Sequence, residues 1–265
     1  MGEIPKVLSI AGTDPTGGAG IHADLKTFQE VGAYGMAVIT SVVAQNTMGV
    51  KDVWHMEDET ILKQLEAVFE DIRPQAVKTG MIALPSMIES VTARLEREKL
   101  PIIVDPVMVA TSGDSLMDKE TTELMINRLL PITEIVTPNM EEAEKLTGVN
   151  VSTIEEAEKA ARVLVDDMGA EAAVVKGGHA KDTAVDVLYY KKEFVHLKAE
   201  RFDTKHTHGT GCTFSAAIAA NRAKGIPVIK SCELAKEFIT KAISHPLNIG
   251  RGNGPVNHWG RSLEK

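Results

Sequence analysis

The chain has 265 residues, 43% of them hydrophobic and 25% charged, with a net charge of -8. That is enough apolar material for one large core. The acidic balance and the 4% aromatic content exclude a charge-driven nucleic-acid binder, an anionic-membrane binder or a base-stacking platform. Two cysteines, Cys212 and Cys232, are too few for a disulfide framework, so a reducing, cytoplasmic setting is expected. Glu3 and Pro5 ahead of the first short apolar run do not read as a secretory leader. No apolar stretch has the length of a membrane span.

Taken in chain order, short apolar runs alternate with amphipathic ones. Val7–Ala11 reads as a buried strand entering the glycine-rich loop Gly12 to Gly20. Ile21–Val31 has helical spacing, and the β-branched run Met36–Ala44 reads as one long strand. Glu59–Phe69 is a helix by its 3.6-residue period, Ala76–Lys78 a strand, and Ser86–Leu95 a helix opened by Pro85. Ile102–Val104 is a buried strand ending at Asp105-Pro106. Lys119–Leu130 is a helix, Ile135–Thr137 a strand, and Met140–Leu146 and Thr153–Met168 are helices closed by Gly148 and Gly169. Ala172–Lys176 is a strand running into Gly177-Gly178. Val185–Tyr190 and Glu193–Leu197 form a hairpin about Lys191-Lys192. Helices at Thr213–Ala223 and Val228–Ile243 follow, and the last residues read as loop. With no repeat and no linker, the pattern predicts a single domain over 1–265. It should have three layers, with a mainly parallel sheet covered by helices on both faces. Ligands of such sheets bind at the carboxyl ends of the strands. The loops Gly12–Gly20, Asp105–Gly113, Asn139 and Lys176–His179 should crowd that edge.

The strongest local signal is Thr207-His208-Gly209-Thr210-Gly211-Cys212 ahead of a small-residue helix. Glycines let backbone approach a ligand, and free N–H groups at a helix start favour an anion. In a phosphotransferase such donors would stabilise a transferring phosphoryl group; otherwise the segment is a turn before a core helix. The loop is not a dinucleotide fingerprint, because Phe214 stands where the third glycine belongs. Gly17-Gly18 rules out a Walker A loop. A zinc site from His206, His208 and Cys212 lacks a second ligand pair. Lys176 at a strand end could meet phosphates, and Asp105 and Glu142 could hold Mg²⁺ through oxygen and water. Taken singly, Lys176 could as well be a solvated cap and Glu142 a first-turn acid.

The segments GTDPTGGAGIHADLKTF, ITSVVAQNTMGV, DPVMVATSGDSL, TPNMEEAEKLTG, KGGH and THGTGCTFSAAIAA occur in this order. Together they resemble the bacterial hydroxymethylpyrimidine/phosphomethylpyrimidine kinases of thiamine biosynthesis, in the ribokinase-like superfamily. The resemblance runs from Val7 to about Val256. It implies a three-layer ribokinase-like fold, a homodimer, ATP and Mg²⁺. It also implies phosphorylation of 4-amino-5-hydroxymethyl-2-methylpyrimidine to its monophosphate and then its diphosphate. By the same resemblance, Gln45 reads the pyrimidine with its two-faced amide, and Gly12, Asp24, Met81 and Val107 surround the substrate. Asn139 and Glu142 match an N-x-x-E motif near Mg²⁺ and phosphate. Lys176 is the phosphate-side lysine, and Thr207, Gly209, Thr210 and Gly211 belong to the anion loop. Cys212 stands where much of the superfamily has an aspartate base. A helix N-terminus lowers a thiol from its usual pKa of about 8.5, so Cys212 thiolate is expected as the base.

The main rival is a pyridoxal kinase of vitamin B6 salvage. In one subgroup of such enzymes a second cysteine captures the aldehyde, and here that position is Ala110. A nicotinamide-dependent oxidoreductase is opposed by Phe214. A non-catalytic pyrimidine-binding regulator is opposed by the intact set of Lys176, Glu142 and Cys212.

Overall fold

The computed structural model describes residues 3–108, 117–177 and 183–263. Ala110, and residues 109–113 and 178–179 of the loops expected at the strand ends, lie outside the described residues. The strands are β1 (Lys6–Ala11), β2 (Tyr34–Ile39), β3 (Ser41–Asn46), β4 (Gly49–His55), β5 (Ala76–Thr79), β6 (Ile102–Val104), β7 (Ile135–Val136), β8 (Ala172–Val175), β9 (Thr183–Tyr190) and β10 (Glu193–Glu200). The helices are α1 (Gly20–Val31), α2 (Asp58–Asp71), α3 (Pro85–Leu95), α4 (Lys119–Leu124), α5 (Met140–Thr147), α6 (Ile154–Asp166), α7 (Thr210–Ala223) and α8 (Val228–Ser244).

Eight strands form one sheet in the order β2-β1-β5-β6-β7-β8-β9-β10, and β3 and β4 pair separately. Pairing is parallel from β2 to β8; only β9 runs against its neighbours. The strands are apolar on both faces because helices cover both, as parallel sheets require. Along β1, Val7 points into one core and Leu8 into the other. Along β8, Ala172 and Val174 face α7 and α8, while Ala173 and Val175 face the layer containing α6. The expected three-layer α/β architecture is what forms.

Three local expectations are corrected. The run Met36–Ala44 is two strands, not one. At Thr40 the backbone N–H bonds to Ala11 O at 3.1 Å and the buried hydroxyl to Met81 O at 2.7 Å, and this turns the chain out of the sheet. The continuation, β3, pairs with β4, whose mixed sequence GVKDVWH carries no clean strand pattern. The helix predicted over Lys119–Leu130 is regular only to Leu124. It widens to a π-helical turn at Met125–Leu129 and ends as a 3-10 turn containing Pro131, which has no N–H to offer. Finally, α7 begins three residues before the predicted Thr213, so Gly211 and Cys212 belong to its first turn.

Candidate active site

The carboxyl ends of β1, β5, β6, β7 and β8 open onto one continuous cavity of about 560 Å³. One end is apolar. Val43, Val50, Val53, Met81 and Val107 wall it, and Gln45 supplies an amide among them. The hairpin β3–β4 brings Val43 and Gln45 there. It is tied to the first glycine loop by Thr13 N to Ser41 O at 2.9 Å and Val43 N to Thr13 Oγ1 at 3.0 Å. The other end is polar, lined by Asn139, Glu142, Lys176, Thr207 and the start of α7.

Two loops meet between these ends. Gly209 precedes α7 with φ of 81°, a conformation that favours glycine. A Cβ there would stand 1.7 Å from Gly18 O, so the two loops touch backbone to backbone. Asp14 fastens them. Its carboxylate accepts from Thr16, Gly18 and Ala19 and pairs with His208 Nε2 at 2.8 Å. Burial would raise this carboxyl, but the bonds from His208 and Thr16 outweigh it and bring it to about 2. His208, weighed above as a zinc ligand, gives Nε2 to this pair. The result is a rigid rim around the first-turn N–H groups of α7, the arrangement an anion requires.

Beside that rim, Lys176 Nζ lies 2.9 Å from Asp105 Oδ1. Asn139 and Glu142 form a reciprocal capping box at the start of α5, each holding the other's backbone N–H at 2.8 Å. Thus the local helix-cap reading of Glu142 and its expected place in the site hold together. Burial raises the Glu142 carboxyl; Lys176 opposes this and Asp105 adds to it. Burial works against the Lys176 ammonium, but Asp105 and Glu142 keep it charged. Two carboxylates facing one lysine leave a net negative charge and hard oxygen donors, which fits Mg²⁺. No group of three or more His, Cys, Asp or Glu among the described residues is placed to hold a metal. The pair would therefore leave most of a magnesium shell to water and phosphate oxygens, as that ion prefers.

Cys212 lies at the cavity floor, half-buried. Burial pushes its thiol up to about 11; Lys78 and the Gly20 N–H favour the thiolate, while Asp24 and Asp105 oppose it. Burial thus works against the thiolate that the helix N-terminus favours. Asp24 is placed differently from the other expected substrate residues. It is the one expected substrate residue outside the cavity lining, fully buried, with its oxygens at 3.1 and 2.9 Å from Lys78 Nζ and one of them bonded to Ser9 Oγ. Gly12, Gln45, Met81, Val107, Asp105, Asn139, Glu142, Lys176, Thr207, Gly209, Thr210, Gly211 and Cys212 all line the cavity.

With this geometry in place, a sequence model of phosphomethylpyrimidine kinase matches residues 14–257. The chain belongs to the phosphomethylpyrimidine kinase family. A hydroxymethylpyrimidine/phosphomethylpyrimidine kinase of Staphylococcus aureus is 48% identical over 259 residues, covering 96% of this chain and 94% of the relative. The structure of the pyridoxal kinase from Staphylococcus aureus in complex with ADP superposes with a TM-score of 0.91 at 37% identity, covering 98% of this chain and 95% of that one. A phosphomethylpyrimidine kinase structure from Clostridium difficile has a TM-score of 0.80 at 39% identity, covering 91% and 100%.

For this family member, several contributors had escaped the sequence reading. Lys78 sits in a four-residue strand whose other residues are buried, and only that placement marked it. Asp14 was one acid in a turn. The final segment, read as loop, is a brace. Thr47 in the β3–β4 turn accepts Asn253 N–H at 2.9 Å through its carbonyl. The Arg251 and Gly252 N–H groups reach its hydroxyl at 3.2 Å. His208 N bonds to Gly254 O and Val256 N to His208 O, at 3.0 and 3.1 Å. His258, whose imidazole burial depresses to about 4, pairs with Thr213 Oγ1 at 3.0 Å. Glycine and proline content alone gave no sign of these partners.

Proposed function

We propose that this chain is one kinase domain over 1–265 that transfers the γ-phosphoryl group of ATP to the hydroxymethyl oxygen of 4-amino-5-hydroxymethyl-2-methylpyrimidine. It then phosphorylates the monophosphate to the diphosphate from which thiamine diphosphate is built. The observation that carries this is a single cavity with an amide-bearing apolar end and an anion-binding end. Gln45 offers a donor and an acceptor to the ring's amino group and adjacent nitrogen. Val43, Met81 and Val107 sandwich the ring. The start of α7 and Lys176 receive the phosphates. Mg²⁺, held by Asp105 and Glu142 with water, would neutralise charge on the β- and γ-oxygens. The reacting oxygen forms a bond to the γ-phosphorus, the bond to the β,γ-bridging oxygen breaks, ADP leaves, and the hydroxyl proton passes to Cys212 as thiolate. The ADP complex of the superposing pyridoxal kinase supports the nucleotide assignment. The higher identity to the pyrimidine kinase, 48% against 37%, together with Ala110, supports the pyrimidine over pyridoxal. A homodimer and a cytoplasmic location belong to the same proposal. The outward face of the hairpin, where exposed Val42 pairs with exposed Trp54, is apolar surface for a second copy to cover.

Incubation with ATP, Mg²⁺ and either the pyrimidine or its monophosphate, resolved by mass, should give mono- and diphosphate with equivalent ADP. No product from either acceptor would refute the assignment. The role of Cys212 has its own signature. A thiol held near 11 is thiolate only in small part at neutral pH, and that part grows tenfold per pH unit. The single-turnover rate should therefore climb steeply from pH 7 to 9. Cys212→Ser should lose about 10²–10⁴-fold, the worth of a positioned base. A flat wild-type profile with an active Cys212→Ser enzyme would remove Cys212 from proton transfer.

A further inference from the structure

We propose that Asp186 is a positioning residue for phosphoryl transfer, acting by holding the Gly177 backbone that follows Lys176. The inference rests on reading Lys176 as the phosphate-side cation.

The β8–β9 ladder ends at the pair Val175–Val187, so Asp186 stands opposite Lys176, one position past the last paired residues. Here a side chain takes over from the ladder. Asp186 Oδ1 accepts the Gly177 N–H at 2.9 Å, and Oδ2 accepts from Lys236 Nζ, reaching in from α8, at 2.7 Å. Gly177 has φ of 95°, and among the described residues a Cβ there would meet only the Met140 side chain, no closer than 3.7 Å. Steric crowding therefore does not hold Gly177 in place. The hydrogen bond to Asp186 fixes it from one side, and Lys176 N to Pro138 O at 2.8 Å fixes it from the other. Between these two anchors the Lys176 side chain is set to reach Asp105.

The pair belongs to the site rather than to the general scaffold. Asp186 and Lys236 both line the polar end of the cavity beside Gly177, with side chains only 7% and 11% exposed. A buried carboxylate is costly unless it is paired and bonded. Lys236 supplies the pairing and leaves the second oxygen to the Gly177 N–H. The expected consequence is specific to the nucleotide: Gly177 follows Lys176, which bridges to Asn139, whereas Met81 packs in the apolar cluster with Val43 and Val107.

The experiment compares Asp186→Ala and Asp186→Asn with the wild type, in steady-state kinetics and in calorimetric binding of a non-hydrolysable ATP analogue. Asp186→Ala removes the acceptor. It should lower kcat/KM for ATP by roughly 10–100-fold, within the range a small misplacement costs, and weaken the analogue to match. Asp186→Asn keeps a neutral acceptor for the Gly177 N–H and should recover kcat/KM for ATP to within about threefold. KM for the pyrimidine should stay within about twofold in both. Asn as damaging as Ala, or equal losses for the two substrates, would overturn the positioning role. If the pyrimidine proves not to be the acceptor, the analogue titration still reads the Gly177 contact, so this proposal and the functional one fail separately.

Discussion

Lys78→Met should lower the free energy of unfolding by about 3–5 kcal/mol, the cost of breaking a buried ion pair from one side. Lys78 and Asp24 are both fully buried, 2.9 Å apart, and Ser9 Oγ donates to the same Asp24 oxygen at 2.5 Å. Burial opposes the Lys78 charge, but Asp24 first, then Cys212 and Asp105, hold the ammonium above its ordinary range. Burial conversely raises Asp24, with Lys78 and Ser9 pulling it down. Removing the ammonium takes away the main influence opposing that burial. The sign with pH follows. In Lys78→Met the folded-state carboxyl titrates above its unfolded value, so the folded chain binds the proton more tightly. Stability should then increase as pH falls through that raised value. Urea unfolding of Lys78→Met, and of Lys78→Met/Asp24→Leu, checks this. The double variant should recover most of the loss, because an apolar replacement of a whole buried pair is often neutral. A single variant as stable as the wild type would mean that the pair is not buried as described.

Gly209→Ala should cost turnover far more than stability. A methyl group there would overlap Gly18 O, so the two phosphate-side loops must part. Losing one preorganised oxyanion donor is worth about 10²–10³ in kcat, and here several N–H groups shift together. The left-handed backbone adds about 1–2 kcal/mol of strain for a residue with a Cβ. Gly225→Ala is the control. Gly225 has φ of 75°, but open space where a Cβ would stand, in the turn between α7 and α8. It should show a similar fall in melting temperature with turnover intact. Equal kinetic losses in the two variants would separate the Gly209 contact from catalysis.

Much of the fold was legible because parallel strands buried on both faces leave short β-branched runs, and the covering helices leave a 3.6-residue period. What failed did so for physical reasons. The break at Thr40 depends on its bonds to Ala11 and Met81, contacts that local pattern does not contain. The π turn at Met125–Leu129 keeps the apolar spacing of a helix, so periodicity passed over it. The site was legible where ordered motifs carried it: Gln45, Lys176, Glu142 and Gly209–Cys212 all face one cavity. The supporting residues were not. Asp14, Lys78 and Asp186 find partners 194, 54 and 50 positions away in His208, Asp24 and Lys236. The pairing of Asp24 was hidden for the same reason, since it depends on an ammonium from another strand.

The central claim is that this cavity selects an aminopyrimidine. The most direct test is the ratio of kcat/KM for hydroxymethylpyrimidine to that for pyridoxal, measured on one preparation with ATP and Mg²⁺, for the wild type and Gln45→Leu. The account predicts a ratio well above ten in the wild type, falling at least tenfold in Gln45→Leu as the amide contacts to the ring are lost. A ratio below one, or a ratio that Gln45→Leu leaves unchanged, would contradict it.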